Sequence, residues 1–265
     1  MNNVFQYCGY FHKESFCNED FMILLNILAK EHELFSSAVF DDVILMNNEG
    51  NFTKEGIEYL SSIDIDNENI FLKGGKTQFF EFGRKNIKYD WLQFSCWNNK
   101  NPDKINNEIL DLLLSKEIEI TFLFDYWYNF YQSNDDPQRY KQINIGKYDL
   151  TEQDIKNFGM PLYFNEDIQL YRIDISNNPG RERFLPGIKF IPAYKIWYGK
   201  EMQELFGKQK ILDYPNAIYT KELENGVIEM QLMDDITKCD LPYNQEKQRD
   251  IVKYFEIEKL EVPKY

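Results

Sequence analysis

The residues with chemistry to offer are few. The chain has two histidines, His12 and His32, and four cysteines, Cys8, Cys17, Cys96 and Cys239. A zinc site needs several thiolates, imidazoles or carboxylates converging on one point. His12 with Cys8 and Cys17 is conceivable, but neither histidine has a histidine partner at metal-ligand spacing. No C-x-x-C and no G-x-S-x-G is present. Gly74-Gly75-Lys76-Thr77 matches only the tail of a phosphate loop, because Ile70 stands where the motif requires glycine. Asp64-Ile-Asp66-Asn-Glu68 has oxygen ligands but lacks the glycine and terminal glutamate of an EF-hand.

Carboxylates are the abundant reactive group. The pairs Asp41-Asp42, Asp135-Asp136 and Asp234-Asp235 could do glycosidase-type work if held across a cleft. Adjacent side chains on a strand point to opposite faces, and with 44 acids in the chain adjacent pairs arise by chance. Arg181 and Arg183 could clamp a carboxylate or phosphate, or pair with the chain's own acids, which is the preferred reading. The sequence therefore points away from catalysis, with no metal and no cofactor expected.

The elements that would position these groups form an α+β pattern. Val4 to Phe11 reads as a strand, and Asn18 caps a helix with Phe21, Leu24, Leu25 and Leu28 on one face. Leu34 to Leu45 reads as a second strand and Lys54 to Leu60 as a short helix. Thr77 to Phe82 and Tyr89 to Trp97 alternate as an antiparallel hairpin. Asn101-Pro102 starts a helix, and Ile118 to Tyr131 reads as one long aromatic strand. This order resembles a ferredoxin-like split β-α-β with an added hairpin.

Ser133 to Pro137 breaks the pattern, dividing the chain into 1–137 and 138–265, two halves or one continuous domain. Beyond the break, Ile168 to Ile175 and Lys189 to Trp197 read as strands and Lys200 to Phe206 as a helix ending at Gly207. Asn225-Gly226 is the strongest hairpin signal, and Asn244 opens a last helix. The second half is thus irregular α+β.

Charge speaks about partners. The formal net charge is −14. Up to Tyr140 there are 12 basic and 23 acidic side chains, and after it 18 and 21, so most of the excess lies in the first half. Such a field is repelled by phosphate backbones and anionic lipid, which argues against nucleic acid and membrane as ligands. It suits a basic protein, since complementary fields speed encounter. From Asp41 to Glu68 eight acids face one base, Lys54. Asp41, Asp42, Glu55, Glu58, Asp64, Asp66 and Glu68 are the candidate contact residues, with Tyr126 and Tyr128 as aromatic anchors. No apolar run reaches the roughly 18–20 residues that span a bilayer, and the N-terminus lacks a signal-peptide pattern, so a cytoplasmic protein is expected.

This assembly resembles the bacterial immunity proteins that neutralise polymorphic or contact-dependent toxins. The resemblance rests on the acidic chain, its two α+β halves, the aromatic run Phe122 to Tyr131 and the Pro-Gly-aromatic stretch Pro179 to Gly199. It implies a cytoplasmic inhibitor that occludes a cognate basic toxin, often a nuclease, without turnover. The alternatives are a hydrolase with a carboxylate-based site, for instance around Asp234 and Asp235, and a non-catalytic scaffold. Reversing Asp64, Asp66 and Glu68 to Lys should slow association with a basic partner and weaken its salt dependence. Unchanged stopped-flow kinetics would remove this patch from the contact surface.

Overall fold

The computed structural model describes residues 4–32, 39–40, 43–44, 47, 53–63, 69–73, 79–84, 88–97, 107–137, 139 and 161–263. In chain order the elements are β1 (Val4–His12), α1 (Asn18–His32), β2 (Val39–Phe40), β3 (Val43–Ile44), α2 (Lys54–Ser62), β4 (Ile70–Lys73), β5 (Phe79–Gly83), β6 (Tyr89–Trp97), α3 (Asn107–Leu114) and β7 (Ile118–Asp125). Then follow α4 (Tyr126–Ser133), β8 (Leu162–Asn165), β9 (Leu170–Ile173), β10 (Arg183–Leu185), β11 (Ile188–Phe190), β12 (Lys195–Tyr198), α5 (Lys200–Phe206), α6 (Lys208–Leu212), β13 (Tyr219–Glu222), β14 (Ile228–Gln231), α7 (Pro242–Tyr254) and α8 (Ile257–Leu260).

The fold is α+β. One eight-stranded antiparallel sheet runs β13-β14-β12-β7-β1-β6-β5-β4, with separate hairpins β2–β3, β8–β9 and β10–β11. β1 pairs antiparallel with both β6 and β7. The parallel strands β6 and β7, joined through α3, thus form a split β-α-β with β1 seated between them. β4 and β5 extend that side as the added hairpin. β12 pairs with β7 from Lys195↔Leu123 to Tyr198↔Ile120, so chain from both sides of Pro137 shares one hydrogen-bonded sheet.

Both sheet faces are covered. On one, Phe11, Phe80 and Phe82 meet Phe16 and α1: Phe11–Phe16 ring centroids are 4.9 Å apart and Phe21–Phe82 4.4 Å. On the other, Phe122 meets Phe190 of β11, and Tyr198 meets Phe206 and Phe255 from the helical C-terminal region. That double cover explains why β7, Ile-Glu-Ile-Thr-Phe-Leu-Phe-Asp, is buried at every position from Ile118 to Phe124, its polar Glu119 and Thr121 included.

Some elements depart from the sequence reading. Of the stretch expected as a strand from Leu34 to Leu45, the described residues Val39–Phe40 and Val43–Ile44 pair with each other as a separate two-residue hairpin outside the main sheet, and the rest lies outside the described residues. The aromatic run 118–131 is not one strand. It turns at Asp125, whose carboxylate accepts from the Tyr128 backbone N–H at 2.8 Å and caps α4. The Lys189 to Trp197 stretch splits around Pro192 into the end of β11 and β12. The start expected at Asn101-Pro102 lies outside the described residues.

Leu24 is fully buried in α1, whereas its neighbour Ile23 is 45% exposed. Leu24→Ala should destabilise the fold by about 2–5 kcal/mol, while Ile23→Ala should stay within about 0.5 kcal/mol. Urea unfolding of the two variants measures the contrast.

Candidate functional site

Three segments meet at one end of the central strands. β1 ends at His12, β7 begins one residue before Glu119, and the chain leaving β12 starts α5 with Lys200 and Glu201. The β1–β7 register steps from Tyr10↔Ile120 to Phe11↔Ile118, so Glu119 is the unpaired residue of a bulge. A bulge re-aims a side chain that regular pairing would direct elsewhere. The chain after β12 crosses this bulge at Gly199, whose backbone N–H donates to the Glu119 carbonyl at 2.8 Å. A Cβ on Gly199 would lie 1.6 Å from the Ile118 carbonyl oxygen, so only glycine permits the crossing. Gln203 then ties α5 down by donating to the carbonyls of Tyr198 and Gly226.

The result is a cluster of one imidazole and two carboxylates. His12 Nε2 lies 3.7 Å from Glu119 Oε2 and 3.6 Å from Glu201 Oε1. Glu201 also accepts from Lys88 Nζ and, at 3.0 Å, from the Tyr89 hydroxyl. The Lys88 hydrogen bond holds Glu201 below the usual carboxylate range. Glu119 has no exposed surface, and neither of its oxygens has a hydrogen-bond partner. Burial, then the Glu201 charge, pushes its carboxyl up to about 7, against smaller opposing effects from Lys88 and the Met202 amide. His12, Glu119, Gly199 and Gln203 line a groove of about 670 Å³.

Other buried carboxylates are served differently. Asp90 takes two hydrogen bonds from the Arg84 guanidinium, at 3.0 and 3.1 Å, and a third from the Glu14 backbone. Glu229 accepts from the Trp197 indole and the Tyr219 hydroxyl and pairs with Lys221. Those two groups have dedicated side-chain partners, while Glu119 is a buried acid without one at the wall of a groove. A carboxyl titrating near neutrality beside an imidazole can exchange a proton, and the same three groups can hold a cation.

The structure does not gather the residues singled out from the sequence. Asp41, Asp42, Asp64, Asp66 and Glu68 lie outside the described residues. Glu55 and Glu58 are exposed on α2, where Glu58 pairs with Lys54 at 3.6 Å. Tyr126 is half-buried against Phe79, with ring centroids 6.0 Å apart. Tyr128 is buried, and its hydroxyl donates to Gln248 at 2.7 Å, so it anchors α4 to α7 and offers little surface. Cys8 is buried and Cys17 exposed; neither joins His12 in the cluster. Arg181 forms a two-pronged pair with Glu261, and Arg183 is buried on backbone carbonyls, as expected of arginines serving their own chain. Asp235 caps a short 3-10 turn through the Thr237 amide and hydroxyl and pairs with Lys238, while Asp234 is exposed.

A second surface feature is the β8–β9 hairpin. Tyr163, Phe164, Ile168, Leu170 and Tyr171 are all exposed among the described residues, Tyr171 at 63%. Phe164 and Tyr171 pack edge to face, with centroids 5.2 Å apart. Asn165 shapes the tip by accepting from the backbone of Asp167 and Ile168.

Sequence reasoning missed the cluster because positions 12, 119 and 201 share no local spacing. One signal was available: Glu119 is a charge set between Ile118 and Ile120, in a strand with no other charge before Asp125.

No family model matches the chain, and no curated protein matches it. Among solved structures, a Pseudomonas aeruginosa T6SS protein is similar over 96% of this chain and 74% of its own, at 13% identity and a TM-score of 0.48.

A carboxyl raised in the folded state opposes folding once it ionises. The penalty is absent below the unfolded carboxyl pKa, near 4.5, and grows to its full size as pH rises through about 7. Glu119→Gln should therefore stabilise the protein at pH 8, by on the order of 2 kcal/mol, relative to its effect at pH 4.5. Thermal unfolding of both proteins across that range checks it; a pH-independent difference would contradict the shift.

Proposed function

We propose that this chain is a binding protein that captures and occludes a basic protein, and that within this class it acts as a cytoplasmic immunity protein against a cognate toxin, a nuclease being the leading form. The reading assigns it no turnover. What supports it best is the β8–β9 hairpin, which exposes five large apolar side chains around Glu166 and Asp167 on a chain of net charge −14. Isolated exposed apolar residues need no explanation, whereas Phe164 and Tyr171, cross-strand partners in ring contact, form an exposed aromatic pair of the kind that suits an interface. Aromatic side chains such as Tyr171 bury large area at small entropic cost.

The exposed face of α2 adds to the same reading. Ile57 is 45% exposed and stands beside the exposed Glu55 and Glu58. An acidic rim steers a basic partner and sets the association rate, while an apolar centre sets the lifetime of the complex. A stable complex would bury about 1,200–2,000 Å² in total. Buried free thiols at Cys8 and Cys239 fit a reducing compartment. No helix among the described residues is long and apolar enough to cross a membrane.

The experiment is a binding titration against the purified basic proteins encoded beside this gene, at low and high salt. A stoichiometric complex whose association slows with salt is the expected result. Replacing Phe164 and Tyr171 together by Ser should speed dissociation at least tenfold, while Glu55→Lys with Glu58→Lys should mainly slow association. Failure of every such protein to bind at either salt, with circular dichroism showing a folded chain, would sink the reading.

A further inference from the structure

The His12, Glu119 and Glu201 cluster has a geometry that the binding reading does not use. The three side chains offer one ligand atom each, all within 4.8 Å of one another. Ligands about 2.0–2.2 Å from a tetrahedral metal stand roughly 3.4 Å apart. The two distances from His12 Nε2, 3.6 and 3.7 Å, need only a few tenths of an ångström of adjustment to meet that. Independently of the grouping, Glu119 is fully buried, has two oxygens without a hydrogen-bond partner of good geometry, brings Oε2 to 3.7 Å from His12 Nε2 and sits on the bulge. A buried carboxylate normally collects donors or a cation, and among the described residues neither oxygen of this one meets a hydrogen-bond partner of good geometry.

We propose that His12, Glu119 and Glu201 form a binding site for a divalent transition-metal cation of the Mn²⁺ or Zn²⁺ type. One imidazole with two carboxylates suits such ions better than Ca²⁺ or Mg²⁺, which favour all-oxygen shells. The Tyr89 hydroxyl, 3.0 Å from Glu201 Oε2, orients that carboxylate from behind. The Lys88 ammonium pairs with the same oxygen, and its side chain is 57% exposed, so it can swing away when a cation arrives. The adjoining groove leaves room for water or a partner's side chain to complete the coordination. Since the ligands come from β1, β7 and the first turn of α5, the ion ties the opening strand of the chain to its C-terminal region.

The test is Mn²⁺ titration of the full chain followed by electron paramagnetic resonance, with Zn²⁺ thermal shifts in parallel. The expected result is one saturable site and a rise in melting temperature, since a ligand that binds only the native state stabilises it. His12→Ala and Glu201→Gln alter partly exposed residues that the fold does not need. Each should weaken binding at least tenfold while circular dichroism stays unchanged. Glu246→Gln, an exposed acid on α7, should bind metal as the parent does. The proposal is overturned if the parent shows no saturable site up to about 1 mM metal, or if the His12 and Glu201 variants bind as tightly as the parent, which would mark general attraction to an acidic surface.

Discussion

β1 is buried along its length and hydrogen-bonded on both edges, and the placement of the other layers follows from that burial. A strand of Val, Phe, Tyr and Cys in this position exposes apolar surface on two faces, and each large side chain covered contributes about 1.5–3 kcal/mol. One face is closed by Phe16 and α1. The other needs residues that arrive more than 150 positions later, in β10, β11 and the C-terminal helices; Tyr10 and Leu185, for example, line the same cleft. Neither part of the chain can leave without uncovering the strand the other part packs on.

That arrangement concentrates polar chemistry at the end of the sheet. Inside it, charges survive only with dedicated partners, as Arg84 does for Asp90 and as Trp197, Tyr219 and Lys221 do for Glu229. Removing one member of such a pair would leave an uncompensated buried charge. Glu119 departs from the pattern. The glycine crossing at Gly199 and the bulge at Glu119 hold its carboxyl in place, so its lack of donors is built into the backbone.

Much of the fold was legible where local chemistry and tertiary demand agree. The 21, 24, 25, 28 stripe marks α1, although Asn18 is its first residue and its side-chain oxygen caps nothing; alternation marks β5 and β6, and Asn225-Gly226 marks the β13–β14 turn, with Gly226 at φ +81°. The failures have physical causes. In the run 118–131 aromatic content suggested continued strand, but Asp125 is an N-cap and the spacing of Trp127 and Tyr131 is also helical. Leu34 to Leu45 has strand composition, yet its described residues, 39–40 and 43–44, ladder with each other outside the main sheet. The candidate site was illegible because its members meet through strand pairing and a loop crossing, which no local spacing encodes.

The position of β1 also bears on how the chain is made. Within this sheet β1 is synthesised before the strands it pairs with, and its partners β6 and β7 follow roughly 80 and 110 residues later. Its second face stays open until synthesis has passed β11 and the last helices. Contacts of such sequence separation slow folding, because loop closure precedes any reward. At about 5–20 residues per second, an apolar nine-residue strand with two free edges waits for many seconds, long enough for holding chaperones to matter. A folded stock of the protein would therefore answer demand sooner than fresh synthesis, which delivers this strand well before the segments that shelter it.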